Sequence, residues 1–183
     1  MTSYLAFLRG INVGGKSLIR MDALKTALSA CGLSDVRTYI QSGNVIFNSE
    51  STDKDKLAGL ITGCIKETFS HDVAVALFTA PEWRQVITGA PSWWGKDDAW
   101  RHNILILIRP YDTGDIRLLE DKLKPGMELL QIGNGVLYQS IDRNAVSRGA
   151  TGSKLIANPL YKKMTIRNYN TATKLVALLS PDA

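Results

Sequence analysis

The run Gly10-Ile11-Asn12-Val13-Gly14-Gly15-Lys16-Ser17 satisfies the pattern G-x-x-x-x-G-K-[ST], in which backbone N–H groups and a lysine cradle nucleotide phosphates. It follows an apolar stretch, Tyr4-Leu5-Ala6-Phe7-Leu8, as a phosphate-binding loop follows a strand. Two companions of that chemistry are missing. A genuine P-loop opens its helix at the Gly-Lys-Ser, so that the first amides point at phosphate, whereas here Leu18-Ile19-Arg20 precedes the expected helix start at Met21. A strand ending in a magnesium-binding Asp is missing too, since residues 104–108 run into Arg109 and residues 73–78 into Thr79. Triphosphate hydrolysis is therefore not expected. A milder chemistry fits the same loop: Gly14 and Gly15 allow close backbone approach to an anion, Asn12 stands beside them, and Arg9, Lys16 and Arg20 attract negative charge. A surface loop of turn glycines and solvated cations explains the same residues equally well.

The second constellation is a charge asymmetry. The net charge of +5 and pI near 9.2 are mildly basic, but from Arg143 to Lys174 the chain carries Arg143, Arg148, Lys154, Lys162, Lys163, Arg167 and Lys174 and no Asp or Glu. Cations interleaved with donors such as Asn158, Asn168 and Asn170 suit phosphate oxygens. The expectation is that this segment meets the glycine-rich loop, so that Arg9, Asn12, Gly14, Gly15, Lys16, Lys154, Arg167, Asn168 and Lys174 bind a phosphate-bearing ligand. Single-stranded nucleic acid, held through Arg148, Lys154, Lys162, Lys163, Arg167 and Lys174, is the leading form. The alternatives are a small-molecule enzyme acting on a phosphorylated or nucleotide-like substrate, and an oligomerising module built on Trp93, Trp94 and Trp100. A solvated helix face is the plain explanation of such cations.

Other chemistry is thinly represented. Cys31 and Cys64 fall in separate predicted helices without Cys-x-x-Cys spacing, so they read as small buried hydrophobes and suggest neither a disulfide framework nor zinc. His71 and His102 lack partners at ligand spacing, and no metal or cofactor is expected. No local Ser-His-Asp or Cys-His arrangement and no compelling carboxylate pair names a catalytic residue. Phe7 and Phe47 are expected in the core, because the third strand lacks the aromatic pair and basic opening of an RNA-recognition motif. The tryptophans either plug a groove between two halves or form an exposed lid, and the cost of exposing large aromatics favours the plug.

The elements that must position these residues repeat. Residues 4–9, 36–40, 45–47 and 73–78 read as strands, residues 21–31 and 53–69 as helices, and Pro81 starts a short further helix. Gly32 ends the first helix, and Ser42-Gly43-Asn44 turns the first hairpin. The order begins again at residues 103–108, with a helix to Leu123, a hairpin of residues 127–132 and 136–141 across Asn134-Gly135, helical segments in residues 145–161, a strand at 164–167 and a helix at 171–179. The hairpins also match in letters, Gln41-Ser42-Gly43-Asn44 beside Gln131-Ile132-Gly133-Asn134. The fold expected is α+β, two ferredoxin-like βαββαβ halves of residues 1–92 and 93–183, with edge strands able to join them into one larger sheet. No basic leader precedes the first apolar stretch and no run is long enough to span a membrane, so a cytoplasmic setting is expected.

Three segments carry a family resemblance. Residues 4–16 and Thr38-Tyr39-Ile40-Gln41-Ser42-Gly43-Asn44-Val45 resemble the N-terminal signature of the DUF1697 family, a domain of unknown function. Gly152-Ser153-Lys154-Leu155 and Arg167-Asn168-Tyr169-Asn170-Thr171 with Lys174-Leu175 are similar to its C-terminal pattern. Ser17 departs from the Asn common after Gly-Gly-Lys, and Tyr169 stands where Trp is frequent. The resemblance implies the α+β fold and brings no catalytic residue or substrate.

Overall fold

A computed structural model describes residues 1–12, 18–111 and 113–179 of the chain. Gly14, Gly15 and Lys16, three of the expected ligand-binding residues, lie outside the described residues. The chain divides into two compact units, Met1–Arg84 with Leu175–Ala183 and Gln85–Lys174, where the sequence suggested a cut after residue 92.

The first unit runs β1 (Thr2–Arg9), α1 (Met21–Ala30), β2 (Ser34–Tyr39), β3 (Asn44–Ser49), α2 (Lys54–Phe69) and β4 (Ala74–Thr79), and α3 (Ala80–Thr88) follows across the unit boundary. The four strands form an antiparallel sheet in the order β2-β3-β1-β4. Strand alternation sends Tyr4, Ala6 and Leu8 into a core with Val45, Phe47 and Val75, closed by Leu24 and Leu28 of α1 and Leu57, Ile61 and Ile65 of α2. Leu5 and Phe7, on the opposite face, are also buried, and Phe7 packs against Phe78 and Trp83 at centroid distances of 6.1 and 4.7 Å. Burial on both faces is why this strand reads as an unbroken apolar run. Gly43 shapes the hairpin: at φ +77° a Cβ there would lie 2.9 Å from Leu8 Cβ, and Leu8 N–H donates to its carbonyl at 2.8 Å. Asp53 caps α2 as its type allows, its carboxylate accepting from the N–H groups of Asp55 and Lys56 at 3.0 Å.

The second unit repeats the plan with β5 (Trp100–Leu107), α4 (Thr113–Glu120), β6 (Glu128–Ile132), β7 (Val136–Asp142) and β8 (Met164–Asn168), and α5 (Tyr169–Leu178) follows. Its antiparallel sheet has the order β6-β7-β5-β8. Leu105, Leu107, Leu137 and Met164 form its core with Ile116, Leu119, Leu155 and Leu160. The structure is thus a mixed α+β fold with two four-stranded antiparallel sheets, and the expectation of one joined sheet is not met.

The helical segments expected in residues 145–161 take the form of short 3₁₀ helices, Arg143–Ala145, Ser153–Ala157 and Pro159–Lys163, each limited by its own local device. Asp142 and Asn158 cap the first and third through their side chains, and a Cβ at Gly152 would lie 2.0 Å from Val146 O, so the backbone there folds back on itself too tightly for any larger residue. Cys31 and Cys64 are not separate buried thiols but a disulfide with Cα atoms 6.4 Å apart. Spacing could not show it, because α1 and α2 become neighbours only when both dock on one sheet face. Among the described residues no helix is long and apolar enough to cross a membrane.

Candidate anion-binding site

The acid-free segment between β7 and β8 is organised around one buried acid from outside it. Glu128, at the start of β6, is 4% exposed, and its carboxylate accepts from Thr151 N–H at 2.6 Å, Thr151 Oγ1 at 2.5 Å, Ala150 N–H at 2.8 Å and Lys124 N–H at 3.2 Å. Gly149 is needed for this approach, since a Cβ there would stand 2.6 Å from the carboxylate. The paired amides of Ala150 and Thr151 are therefore taken by an internal carboxylate. Gln139 extends the network, donating to Thr151 O at 2.5 Å and accepting from Asn103 Nδ2 at 2.6 Å, so every member of this buried polar chain is satisfied.

On the outer side of that scaffold lies a cavity of about 380 Å³. Lys122 and Lys124, after α4, face Arg148 and Lys154 from the basic segment, and Asn158 completes its polar lining. Asn158 Oδ1 is taken by Leu160 N–H at 2.9 Å, which turns its amide NH₂ into the part available to a ligand. Leu119, Ala150, Ala157 and Pro159 form the apolar wall. All four cations are exposed, and among the described residues none forms an ion pair, so the lining presents donors and no carboxylate. A cationic, donor-rich lining of this kind is chemically suited to an acceptor-rich anion.

The expected site residues are distributed unevenly over this picture. Lys154 lines the cavity. Arg167, on β8, is only 6% exposed. Burial lowers its pKa to about 10, which leaves it a cation at neutral pH, and one guanidinium nitrogen donates to Thr165 Oγ1 at 2.7 Å and to Ile166 O at 2.9 Å. Asn168 caps α5, its Oδ1 accepting from Thr171 N–H at 2.7 Å, and Lys174 is exposed on that helix. Asn12 Nδ2 donates to Ile19 O at 3.0 Å and Gln41 O at 2.9 Å, while its Oδ1 accepts from Ile19 N–H at 2.8 Å, so it closes the base of the loop. Arg9 ends β1, partly buried opposite Ala74. Lys122, Lys124 and Glu128 were missed; Lys122-Leu123-Lys124 before a Pro-Gly turn was the available signal for the first two.

Other sequence candidates resolve into structure. Trp94 is 4% exposed, donates through Nε1 to Asn103 O at 2.8 Å and meets Tyr138 and Tyr169 edge-on at centroid distances of 5.4 and 4.8 Å. The Tyr138 hydroxyl donates to Val86 O. His102 assembles with Ser140 through a 2.6 Å contact at Nδ1, with Asp97 O 3.0 Å from Nε2. Ser140 is 1% exposed, which denies its hydroxyl to any substrate carbonyl and makes the pair a fastener of the Asp97 turn. Among the described residues no group of three His, Cys, Asp or Glu side chains is placed to hold a metal ion.

Comparison with known proteins places the chain. No curated protein matches it. A solved structure of similar form is that of the conserved bacterial protein SP0830 from Streptococcus pneumoniae, with a TM-score of 0.86 and 28% identity over 98% of this chain and 99% of that one. The family described as "Protein of unknown function (DUF1697)" matches residues 1–138, which contain the whole first sheet with its hairpin, the glycine-rich loop and the second unit as far as the start of β7. With three quarters of its length matched, the chain belongs to the DUF1697 family.

Proposed function

We propose that the protein binds a phosphate-bearing ligand in the cationic cavity of its second unit, with single-stranded nucleic acid as the first form to test. One observation carries this: Lys122, Lys124, Arg148 and Lys154 line one cavity that, among the described residues, includes no acid. Cations that only solvate a helix face have no reason to gather around a concavity. The glycine-rich loop belongs to the proposal as a second contact region, through Arg9, Gly14, Gly15 and Lys16, while Asn12, Arg167 and Asn168 support the architecture. A small phosphorylated or nucleotide-like molecule is the second candidate, since a cavity of about 380 Å³ with an apolar wall is of small-ligand size. Each half is further proposed to be ferredoxin-like, which its strand order supports, the second half having short turns in place of its second helix.

The test is a fluorescence-anisotropy titration of a labelled single-stranded oligonucleotide over a range of salt. Affinity should fall with salt by a log–log slope of about 0.7 per neutralised phosphate. Lys154→Ala or Arg148→Ala should each lower that slope by a fraction of a unit and weaken all sequences alike, whereas Arg167→Ala should reduce thermal stability with the slope kept. A mononucleotide that competes fully at the same sites would favour the small-ligand form. Absence of binding to oligonucleotide, mononucleotide and inorganic phosphate at low salt, or binding unchanged when all four cations are replaced by Ala, rejects the proposal.

A further inference from the structure

We propose that Cys31 and Cys64 form a reversible thiol–disulfide exchange site, in which Cys31 reacts with a small carboxylate-bearing thiol and Cys64 is the resolving sulfur. The site lies in the first unit and is independent of the cationic cavity. Three observations carry it. The two cysteines are the only ones in the chain and are bonded to each other across α1 and α2, 33 residues apart in sequence. Their environments differ: Cys64 is 4% exposed, whereas Cys31 at the C-cap of α1 is only partly buried. Cys31 also borders a cavity of about 620 Å³, walled by Ala27, Ala30 and Phe69, with Arg20 and Asp22 among its lining. A buried structural disulfide has no such approach, while an exchanging one requires it.

The lining suggests the reactant. The apolar wall accepts a short aliphatic chain, and Arg20 and Asp22 offer one partner each to the carboxylate and ammonium of a zwitterionic thiol. Their mutual ion pair, 2.7 Å long with side chains 84% and 66% exposed, is weakly held and readily exchanged. In the forward step the thiolate of RSH attacks Cys31 Sγ, the Cys31–Cys64 bond breaks, and its electron pair leaves on Cys64 Sγ, which takes up the proton released by RSH. Ala27 O, 3.3 Å from Cys64 Sγ, is placed to accept the hydrogen bond of that thiol. A second thiolate then attacks the RS sulfur of the mixed disulfide, releasing RSSR and leaving Cys31 reduced. The net change is two RSH and one protein disulfide giving RSSR and one protein dithiol, and excess RSSR reverses it.

Glutathione is the probe. Intact protein equilibrated over a series of reduced-to-oxidised glutathione ratios and quenched with an alkylating agent should pass reversibly from no free thiols to two, by mass spectrometry. With oxidised glutathione, Cys64→Ser should gain one glutathionyl group at Cys31, and Cys31→Ser should remain unmodified while folded. Two free thiols at every ratio would show that the bond does not form. A disulfide that survives reduced glutathione under native conditions would show a static crosslink, and equal labelling of Cys31 and Cys64 in the single variants would remove the proposed division of roles. Each of these results overturns the proposal, and the thiol count on unmodified protein decides it even if a variant fails to fold.

Discussion

Asn12 sits at φ 55°, a left-handed conformation that asparagine tolerates better than most residues, and its side chain makes three hydrogen bonds that bridge chain segments. The side chain presents Ile19 with an acceptor for its N–H and a donor for its carbonyl, much as a neighbouring strand would, and ties Gln41 in as well. An asparagine inside a P-loop-like match looks like a ligand contact in sequence; its partners are residues 7 and 29 positions away, which spacing does not reveal. At about 1 kcal/mol net per hydrogen bond, Asn12→Ala should destabilise the protein by about 3 kcal/mol in urea unfolding. Asn12→Asp should cost at least as much, because it keeps the acceptor for Ile19 N–H but turns a carboxylate oxygen toward two carbonyls. An unshifted urea midpoint in Asn12→Ala would mean that the loop base is held by other contacts.

At the scale of elements, two carboxylates fix the ends of segments and can be tested separately. Thr79 and Glu82 form a reciprocal cap at the start of α3, with Thr79 N–H donating to Glu82 at 2.8 Å, and Lys54 Nζ reaches the same carboxylate at 2.5 Å. Burial pushes the Glu82 pKa up, but the hydrogen bonds from Lys54 and Thr79 together outweigh it, so the carboxyl lies below its ordinary value. A depressed folded pKa stabilises the protein above the unfolded carboxylate pKa and loses that contribution as pH falls through the folded one. The acid limb of the thermal midpoint, below pH about 5, should therefore be shallower in Glu82→Gln than in the parent protein. Glu128→Gln places an amide NH₂ against the N–H groups of Ala150, Thr151 or Lys124, and should cost about 2–3 kcal/mol while speeding amide exchange between β7 and β8. The regular elements were legible because their signals are local: the unbroken apolar run of β1, the Asp53 cap of α2, the Asn-Gly hairpin. In residues 145–161 the helical character was legible but not its break into short 3₁₀ helices around Glu128, because close approaches such as that of Gly149 to the carboxylate do not show in sequence spacing. Lys154 of the candidate cavity was legible as part of a charge run, but its partners Lys122 and Lys124 came from the other side of a hairpin.

For the molecule as a whole, the division into units is not a division of the chain at one point. Residues from Leu175 onward belong with Met1–Arg84, while Tyr169–Lys174 of the same helix belong with the second unit. Leu175 is 0% exposed and Leu179 5%, and burying each such side chain contributes about 1.5–3 kcal/mol. A chain ending at Lys174 should accordingly lose at least about 3 kcal/mol, beyond what a frayed terminus would cost. Because truncation also shortens α5, the sharper variant is Leu175→Ala, which keeps the helix and removes only packing, at about 2–5 kcal/mol for a buried leucine. Hydrogen exchange followed by mass spectrometry locates the loss. If the last turn of α5 is part of the first unit, protection in Leu175→Ala should fall in β1, β3 and β4, more than 90 residues earlier in the chain, by more than it falls in β5 and β7. Loss confined to β5, β7 and β8 would instead assign the whole of α5 to the second unit and return the chain to two sequential halves.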